Sequence, residues 1–124
     1  MTAAARRAAP DEACGLLLGR GQRIDSFVET ANVAPDPRHQ FEIDPLRLIA
    51  ACRAEREAGP ELIGYYHSHP AGPPRPSATD EAQAARDRKV WAIGTPQGDI
   101  GWFISGPDGF EPLEPHLTPG SPEN

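Results

Sequence analysis

The chain has 124 residues, enough for one ordinary domain and too few for two. Its net charge of −6 and pI near 5.1 argue against a protein that binds nucleic acid or an anionic membrane, since such proteins usually present a basic face. No apolar run is long enough to span a bilayer, and no charged-then-apolar signal region opens the chain. We therefore expect a soluble cytoplasmic protein.

Fifteen prolines and twelve glycines divide the whole chain into short elements. In chain order, the pattern predicts a helix over 2–9, a buried strand over 13–18 closed by Gly19, a second strand over 23–33 and a loop over 34–40. Cys14 and Cys52 are too sparse for a disulfide framework and are expected to be small buried apolar residues.

The middle of the chain predicts a helix that leads into a strand ending in two histidines. Asp44 and Pro45 are a favourable N-cap and first helical residue, and a Gly-Pro pair ends the helix. Four residues form its predicted apolar stripe: Leu46, Ile49, Ala50 and Ala54. The strand over 61–66 follows, with His67 and His69 at its C-terminal end.

The remaining elements complete a mixed pattern of helices and strands. We predict a short helix over 77–86, strands over 90–94 and 100–105, and a last strand over 110–113 after a turn. Residues 1–113 are expected to form a single domain, and 114–124 a proline-rich disordered tail. The order of elements indicates an α/β fold, with a mixed β-sheet flanked by helices.

The pair of histidines is the strongest functional signal. Side chains two residues apart project from the same face of a strand, so His67 and His69 point toward one place. Asp80 follows eleven residues after the second histidine and can complete a three-ligand metal site. Three protein ligands leave a fourth tetrahedral position open, which is typical of catalytic zinc. The same ligand set also suits iron or manganese.

Ser77 and Asp80 also have a purely structural interpretation. Serine followed three residues later by an acid is a capping box at the start of a helix. The two interpretations are compatible, because an acid in the first turn of a helix is held rigidly and can still face a metal ion. Ser77 would then either cap the helix or face a substrate.

Glu12 is the candidate general base. It lies immediately before the buried strand over 13–18. Beside an open metal position, its carboxylate could accept a proton from water and later return it to a leaving amine without binding the metal. Asp11 is the rival base, but in a strand its side chain would point to the opposite face.

Glu12, His67-Ser68-His69-Pro70, Ser77 and Asp80 together resemble the JAMM (MPN-plus) metalloproteases. The resemblance includes the string Glu-x-Cys-Gly-Leu-Leu-Leu-Gly that starts at Glu12, and it runs over about residues 10–110. It implies a cytidine-deaminase-like α/β/α sandwich holding one Zn²⁺ per chain on the two histidines and the aspartate. It also implies that Glu12 is the acid/base and that Ser77 stabilises the tetrahedral oxyanion.

The resemblance further implies a peptidase or isopeptidase that cuts after the C-terminal tail of a ubiquitin-like protein, such as a sulfur carrier. The loop over 34–40 and the proline-rich stretch over 71–76 are the expected walls of the groove for that tail. Only eleven residues precede Glu12, so we expect a shorter N-terminal edge than relatives carry. The alternatives are a non-catalytic MPN-like interaction module and a metal-dependent hydrolase of small amides.

Overall fold

A computed structural model of the chain describes residues 1–113, and the predicted tail over 114–124 lies outside the described residues. The helices are α1 (Thr2–Ala8), α2 (Pro45–Arg56) and α3 (Ala78–Gln83). The strands are β1 (Cys14–Arg20), β2 (Arg23–Thr30), β3 (Glu61–Ser68), β4 (Val90–Gly94), β5 (Ile100–Gly106) and β6 (Gly109–Pro112). They form one sheet in the order β2-β1-β3-β4-β5-β6, in which only β3 and β4 pair in parallel. The predicted mixed sheet is confirmed.

Different helices cover the two faces of this sheet. Leu17 on β1 packs in a buried cluster with Ala4 of α1. Its neighbour Leu16 belongs to a second cluster, against which Leu48 of α2 packs. Because neighbouring strand residues point to opposite faces, α1 and α2 lie on opposite sides of the sheet. The layers therefore follow the predicted α/β/α arrangement.

The predicted apolar stripe of α2 is wrong. Leu46 and Ile49 are 75% and 53% exposed, and Ala50 and Ala54 are exposed as well. The residues that pack against the sheet are a different set at helical spacing: Leu48, Ala51 and Cys52. The helix start was predicted correctly, since the Asp44 side chain accepts a hydrogen bond from the Leu46 N–H as the N-cap.

Several predicted strand ends are also corrected. β1 does not close at Gly19 but continues to Arg20, with an irregular register between Leu18 and Gly19. Gly19 is needed there, because a Cβ would lie 1.8 Å from the carbonyl oxygen of Arg23. β2 ends at Thr30 rather than at residue 33. β3 runs two residues beyond its predicted end, which places His67 inside the paired strand.

α3 is shorter than predicted and ends at Gln83. Ala84 is already extended, and Arg86 has a positive φ of 58°. The Arg86 N–H donates to the hydroxyl of Ser105 on β5, so the chain after α3 is bound to this strand and does not continue as a helix. No helix among residues 1–113 is long and apolar enough to cross a membrane.

Candidate metal centre

Three predicted ligands meet at the end of the two parallel strands. His67 pairs with Ile93 of β4, and the His69 N–H donates to the Gly94 carbonyl just past the end of β3. Asp80 comes from the first turn of α3. The His67 Nε2, His69 Nε2 and Asp80 Oδ2 atoms are 3.1–3.2 Å from one another, and all three residues are buried.

This triangle fits a tetrahedral metal ion. Zinc bonds of about 2.0–2.1 Å place neighbouring tetrahedral ligands about 3.3–3.4 Å apart, close to the observed separations. When both Nε2 atoms are unprotonated, their lone pairs and the Asp80 oxygen point toward one place, where a cation can accept all three. The donor set of two imidazoles and a carboxylate therefore fits a divalent ion with a position left open.

The Asp80 carboxylate that lies beside the two histidines is also part of the capping box of α3. The Asp80 N–H donates to the Ser77 hydroxyl, and the Ser77 N–H donates to Asp80 Oδ2 at 3.0 Å. Burial alone would raise the pKa of Asp80, but hydrogen bonding with His67 and His69 holds it well below its usual range. Asp80 therefore offers a fixed, ionised oxygen that could hold a cation, and both sequence interpretations of this pair are compatible with its geometry.

The two histidines are held in different ways. The ring of His69 is oriented by a 2.8 Å hydrogen bond in which Nδ1 donates to the Pro73 carbonyl, leaving Nε2 free to face an ion. The ring of His67 is fully buried, and among residues 1–113 its Nδ1 has no hydrogen-bond partner. Burial lowers the pKa of His67, which favours the neutral imidazole that metal binding requires.

Glu12 is a buried carboxyl group that can exchange a proton near neutral pH. It is 5% exposed, and its Oε1 has no hydrogen-bond partner within the described chain. Burial raises the pKa of Glu12 to about 8, although the charge of His69 partly offsets this. Glu12 lines the same cleft as His69 and Ser77, whereas Asp11 is absent from the described lining of that cleft.

Two residues to which the sequence analysis assigned no role, Ser68 and Asn32, hold the backbone at Glu12 in place. The Ala13 N–H donates to the buried Ser68 hydroxyl, and the Ser68 N–H donates to the Ala13 carbonyl. The Asn32 amide donates to the carbonyls of Glu12 and Gln40. Ser68 lies between the two histidines, and its side chain points away from them. It nevertheless connects β3, which carries His67, to Ala13, the residue next to Glu12.

Asn32 gives a direct test of this support. Replacing it with aspartate removes the amide donor and sets an acceptor against two carbonyl oxygens. The free energy of unfolding should fall by about 2 kcal/mol, measured by chemical denaturation, because polar groups then lose their partners. Gln40→Ala is the matched control, since only the Gln40 backbone takes part, and it should leave stability nearly unchanged. Equal losses in both variants would contradict the assignment.

The predicted groove walls lie on the cleft that contains Glu12. One side is lined by Arg38 and His39 of the loop over 34–40, and another by residues of the proline-rich stretch over 70–76. The Glu12 N–H donates to the Pro37 carbonyl at 2.7 Å, so the loop is bound to the base itself. The cleft is open to solvent and elongated enough to involve both segments.

Comparisons with known proteins agree with these features. The family model for prokaryotic homologues of the JAB domain matches residues 1–105. A desampylase from Haloferax volcanii is 37% identical over 91 residues, which are 72% of this chain and 66% of that protein. A probable TtuB-protein conjugate cleaving protease from Thermus thermophilus is 40% identical over 78 residues, which are 63% of this chain and 52% of that protein. The chain thus spans 52% to 66% of the length of these two curated relatives.

Solved structures share the fold. A solution structure of a protein from Desulfitobacterium hafniense superposes with a TM-score of 0.78 at 35% identity, covering 92% of this chain and 83% of that one. A JAB1/MPN domain protein from Archaeoglobus fulgidus has the same fold, with a TM-score of 0.61 at 23% identity over 91% of this chain and 85% of that one. Since the family model covers most of the sequence, the resemblance is confirmed and the chain belongs to the prokaryotic homologues of the JAB domain.

Proposed function

We propose that this protein is a zinc-dependent peptidase that hydrolyses an amide bond after the C-terminal tail of a ubiquitin-like protein. One observation carries the proposal: three buried donor atoms lie 3.1–3.2 Å apart, and one of their residues, His69, lines the same cleft as the buried Glu12, whose Oε1 has no partner among residues 1–113. Metal-dependent peptide hydrolysis uses a bound cation and a proton acceptor beside it. The three donor atoms could hold the cation, and Glu12 could accept the proton.

His67, His69 and Asp80 are the proposed ligands of one Zn²⁺ per chain. When bound, the ion would activate water and polarise a substrate carbonyl. Zinc is preferred over iron or manganese because three ligands at tetrahedral spacing match its usual geometry. The lowered pKa values of Asp80 and His67 favour the deprotonated forms of these two residues, which are the forms that bind a cation.

Glu12 is the proposed general base and acid. It would accept the proton of the attacking water and return it to the departing amine. Its burial and raised pKa support this role, because a carboxyl that titrates near neutral pH can both take up and release a proton. The hydrogen bonds of Asn32 and Ser68 to the Glu12–Ala13 backbone hold it for that transfer.

Ser77 is proposed to stabilise the oxyanion. Its hydroxyl oxygen accepts the Asp80 N–H as a helix cap, which leaves its O–H proton free to donate to another atom. The residue also lines the cleft. A donor aimed at the developing charge on the carbonyl oxygen lowers the barrier for forming the tetrahedral intermediate.

Ser77→Ala should therefore retain zinc but lower kcat by about 10²–10³-fold, as expected when an oxyanion donor is lost. Loss of the cap should also cost about 1 kcal/mol of stability. Steady-state kinetics and thermal denaturation measure the two effects separately. Ser77→Thr keeps the hydroxyl in both roles and should stay near wild type. A kcat for Ser77→Ala within about twofold of wild type would leave only the capping role.

The proposed substrate class follows from the cleft and from the relatives. Two relatives, a desampylase and a probable TtuB-protein conjugate cleaving protease, have names that describe enzymes acting on protein conjugates. Here the loop over 34–40 and the stretch over 70–76 flank Glu12, so an extended tail can lie between them. Narrow walls would favour a tail that ends in small residues, and the bond after it would meet the ligand cluster.

Mass spectrometry of cleavage products tests this function. Purified full-length protein is incubated with ubiquitin-like proteins that carry C-terminal extensions, with and without a chelator. We expect release of the extension, and we expect the chelator to prevent it. Cleavage of free dipeptides without any ubiquitin-like body would instead indicate a hydrolase of small amides. Absence of stoichiometric metal would favour a non-catalytic interaction module.

A further inference from the structure

We propose that Phe41 is a positioning residue for His67, holding the imidazole plane through its flat ring in the orientation that binds the metal ion. This inference rests on the proposed metal site. In most metal sites a hydrogen bond fixes the orientation of a histidine ring, whereas here an aromatic side chain would fix it. The assignment follows from what surrounds each of the two histidine rings.

The first observation is the missing hydrogen bond of His67. Metal-binding histidines almost always donate their second ring N–H to a carboxylate, a carbonyl or water, which fixes the ring. His69 follows this rule through the Pro73 carbonyl. His67 does not, since its buried Nδ1 has no partner within residues 1–113. Once Nε2 faces an ion, no hydrogen bond from Nδ1 within the described residues sets the plane of this ring, so other contacts have to do so.

The second observation is the aromatic packing around that ring. Phe41 is stacked on His67, with ring centroids 4.3 Å apart and only 13° between the planes. Trp91 meets the same imidazole edge-on at 5.5 Å and 88°. Phe41 also contacts Trp91 edge-to-face at 5.3 Å and 75°. The imidazole is thus confined on one face and at one edge by two aromatic rings that brace each other.

Phe41 is itself held by the segment that positions Glu12. The Asn32 amide donates to the carbonyl of Gln40, and the Asn32 side-chain oxygen accepts the Glu42 N–H. Both residues flanking Phe41 are therefore bound to one side chain. The ring that supports His67 and the backbone that carries Glu12 share this anchor, so ligand and base keep a constant relative position.

The stack should favour the metal-loaded state over the metal-free one. The face of an aromatic ring carries partial negative charge and attracts cations. An imidazole bound to a divalent ion gains positive character, so its attraction to Phe41 increases when the ion binds. Loss of the stack therefore weakens metal affinity as well as packing. Removing an outer-shell partner of a ligand typically weakens affinity about 10–100-fold, and we expect about tenfold here.

Competition titration of the full-length protein with a chromophoric zinc chelator tests the inference. Phe41→Leu keeps an apolar side chain of similar volume but removes the flat ring, and it should bind zinc about tenfold more weakly. Phe41→Tyr restores a ring and should return affinity to near wild type. Phe103→Leu is the matched control, because Phe103 is also half-buried and packs on Phe110 instead of a ligand.

A second readout separates positioning from simple stabilisation. With cobalt in place of zinc, the visible absorption of the bound ion reports ligand geometry, and it should change in Phe41→Leu but not in Phe103→Leu. If the zinc affinity and the cobalt spectrum of Phe41→Leu both match those of the wild type, the role of Phe41 is overturned but the proposed metal site is not. Equal weakening in Phe103→Leu would overturn it too. A wild-type chain that binds no divalent ion would overturn the metal site itself, and the proposed function with it.

Discussion

Glu12→Gln should reduce turnover by about 10²–10⁴-fold while retaining one metal ion per chain. Glutamine keeps the size of the side chain but cannot accept a proton at neutral pH. Glu12 is buried beside the ligands without contributing an atom to their triangle, so its loss should not release the ion. Release of a C-terminal extension, followed by mass spectrometry, gives the rate, and elemental analysis gives the metal content.

Asp11→Asn is the natural control for this variant. It neutralises the adjacent carboxylate, which is the other acid that the sequence offers as a base, and it should leave turnover within about twofold of wild type. Metal loss in Glu12→Gln would make Glu12 a ligand and remove the proposed division of roles. A larger rate loss in Asp11→Asn than in Glu12→Gln would transfer the base to Asp11.

Removal of a ligand should differ from Glu12→Gln in that the metal is lost together with the activity. His67→Ala or Asp80→Asn is expected to lose both metal and activity. Affinity should fall by more than about 100-fold, because even outer-shell partners of a ligand are worth 10–100-fold. Asp80→Asn keeps an oxygen that can still accept the Ser77 N–H, so the helix cap survives while the charge is lost. Equilibrium dialysis followed by elemental analysis measures the effect.

His39→Ala supplies the comparison for these variants. His39 lines the cleft, is exposed and pairs with Asp36. Its substitution therefore removes an imidazole from the same cleft without changing His67, His69 or Asp80. It should retain the metal. A His67→Ala or Asp80→Asn protein that still binds one ion per chain with near wild-type affinity would contradict the ligand assignment.

The placement of His67, His69 and Asp80 within their own elements was predictable because it depends on local geometry. A two-residue spacing on a strand fixes the common direction of His67 and His69, and the capping pattern fixes Asp80 at the start of a helix. The apolar face of α2 was not predictable in this way. Its sequence offers two candidate stripes, and only the position of the sheet selects Leu48 over Leu46 and Ile49.

The supports of the site were also hidden from the sequence. Ser68 and Asn32 make hydrogen bonds to residues 55 and 20 positions away. Such bonds follow from the antiparallel pairing of β1 with β3 and from the path of the loop after β2, neither of which a local pattern specifies. The stacking of Phe41 on His67 is equally long-range.

One oxygen atom links the start of α3 to the cation site, since Asp80 Oδ2 accepts the Ser77 N–H and also faces both imidazoles. α3 has only six residues, too few to persist in water without help from its surroundings. Binding of the proposed ion at Asp80 would therefore add stability to the start of α3, and ion binding and helix stability would be thermodynamically linked. Loss of the ion would then weaken the support of Ser77, which lines the cleft next to this helix.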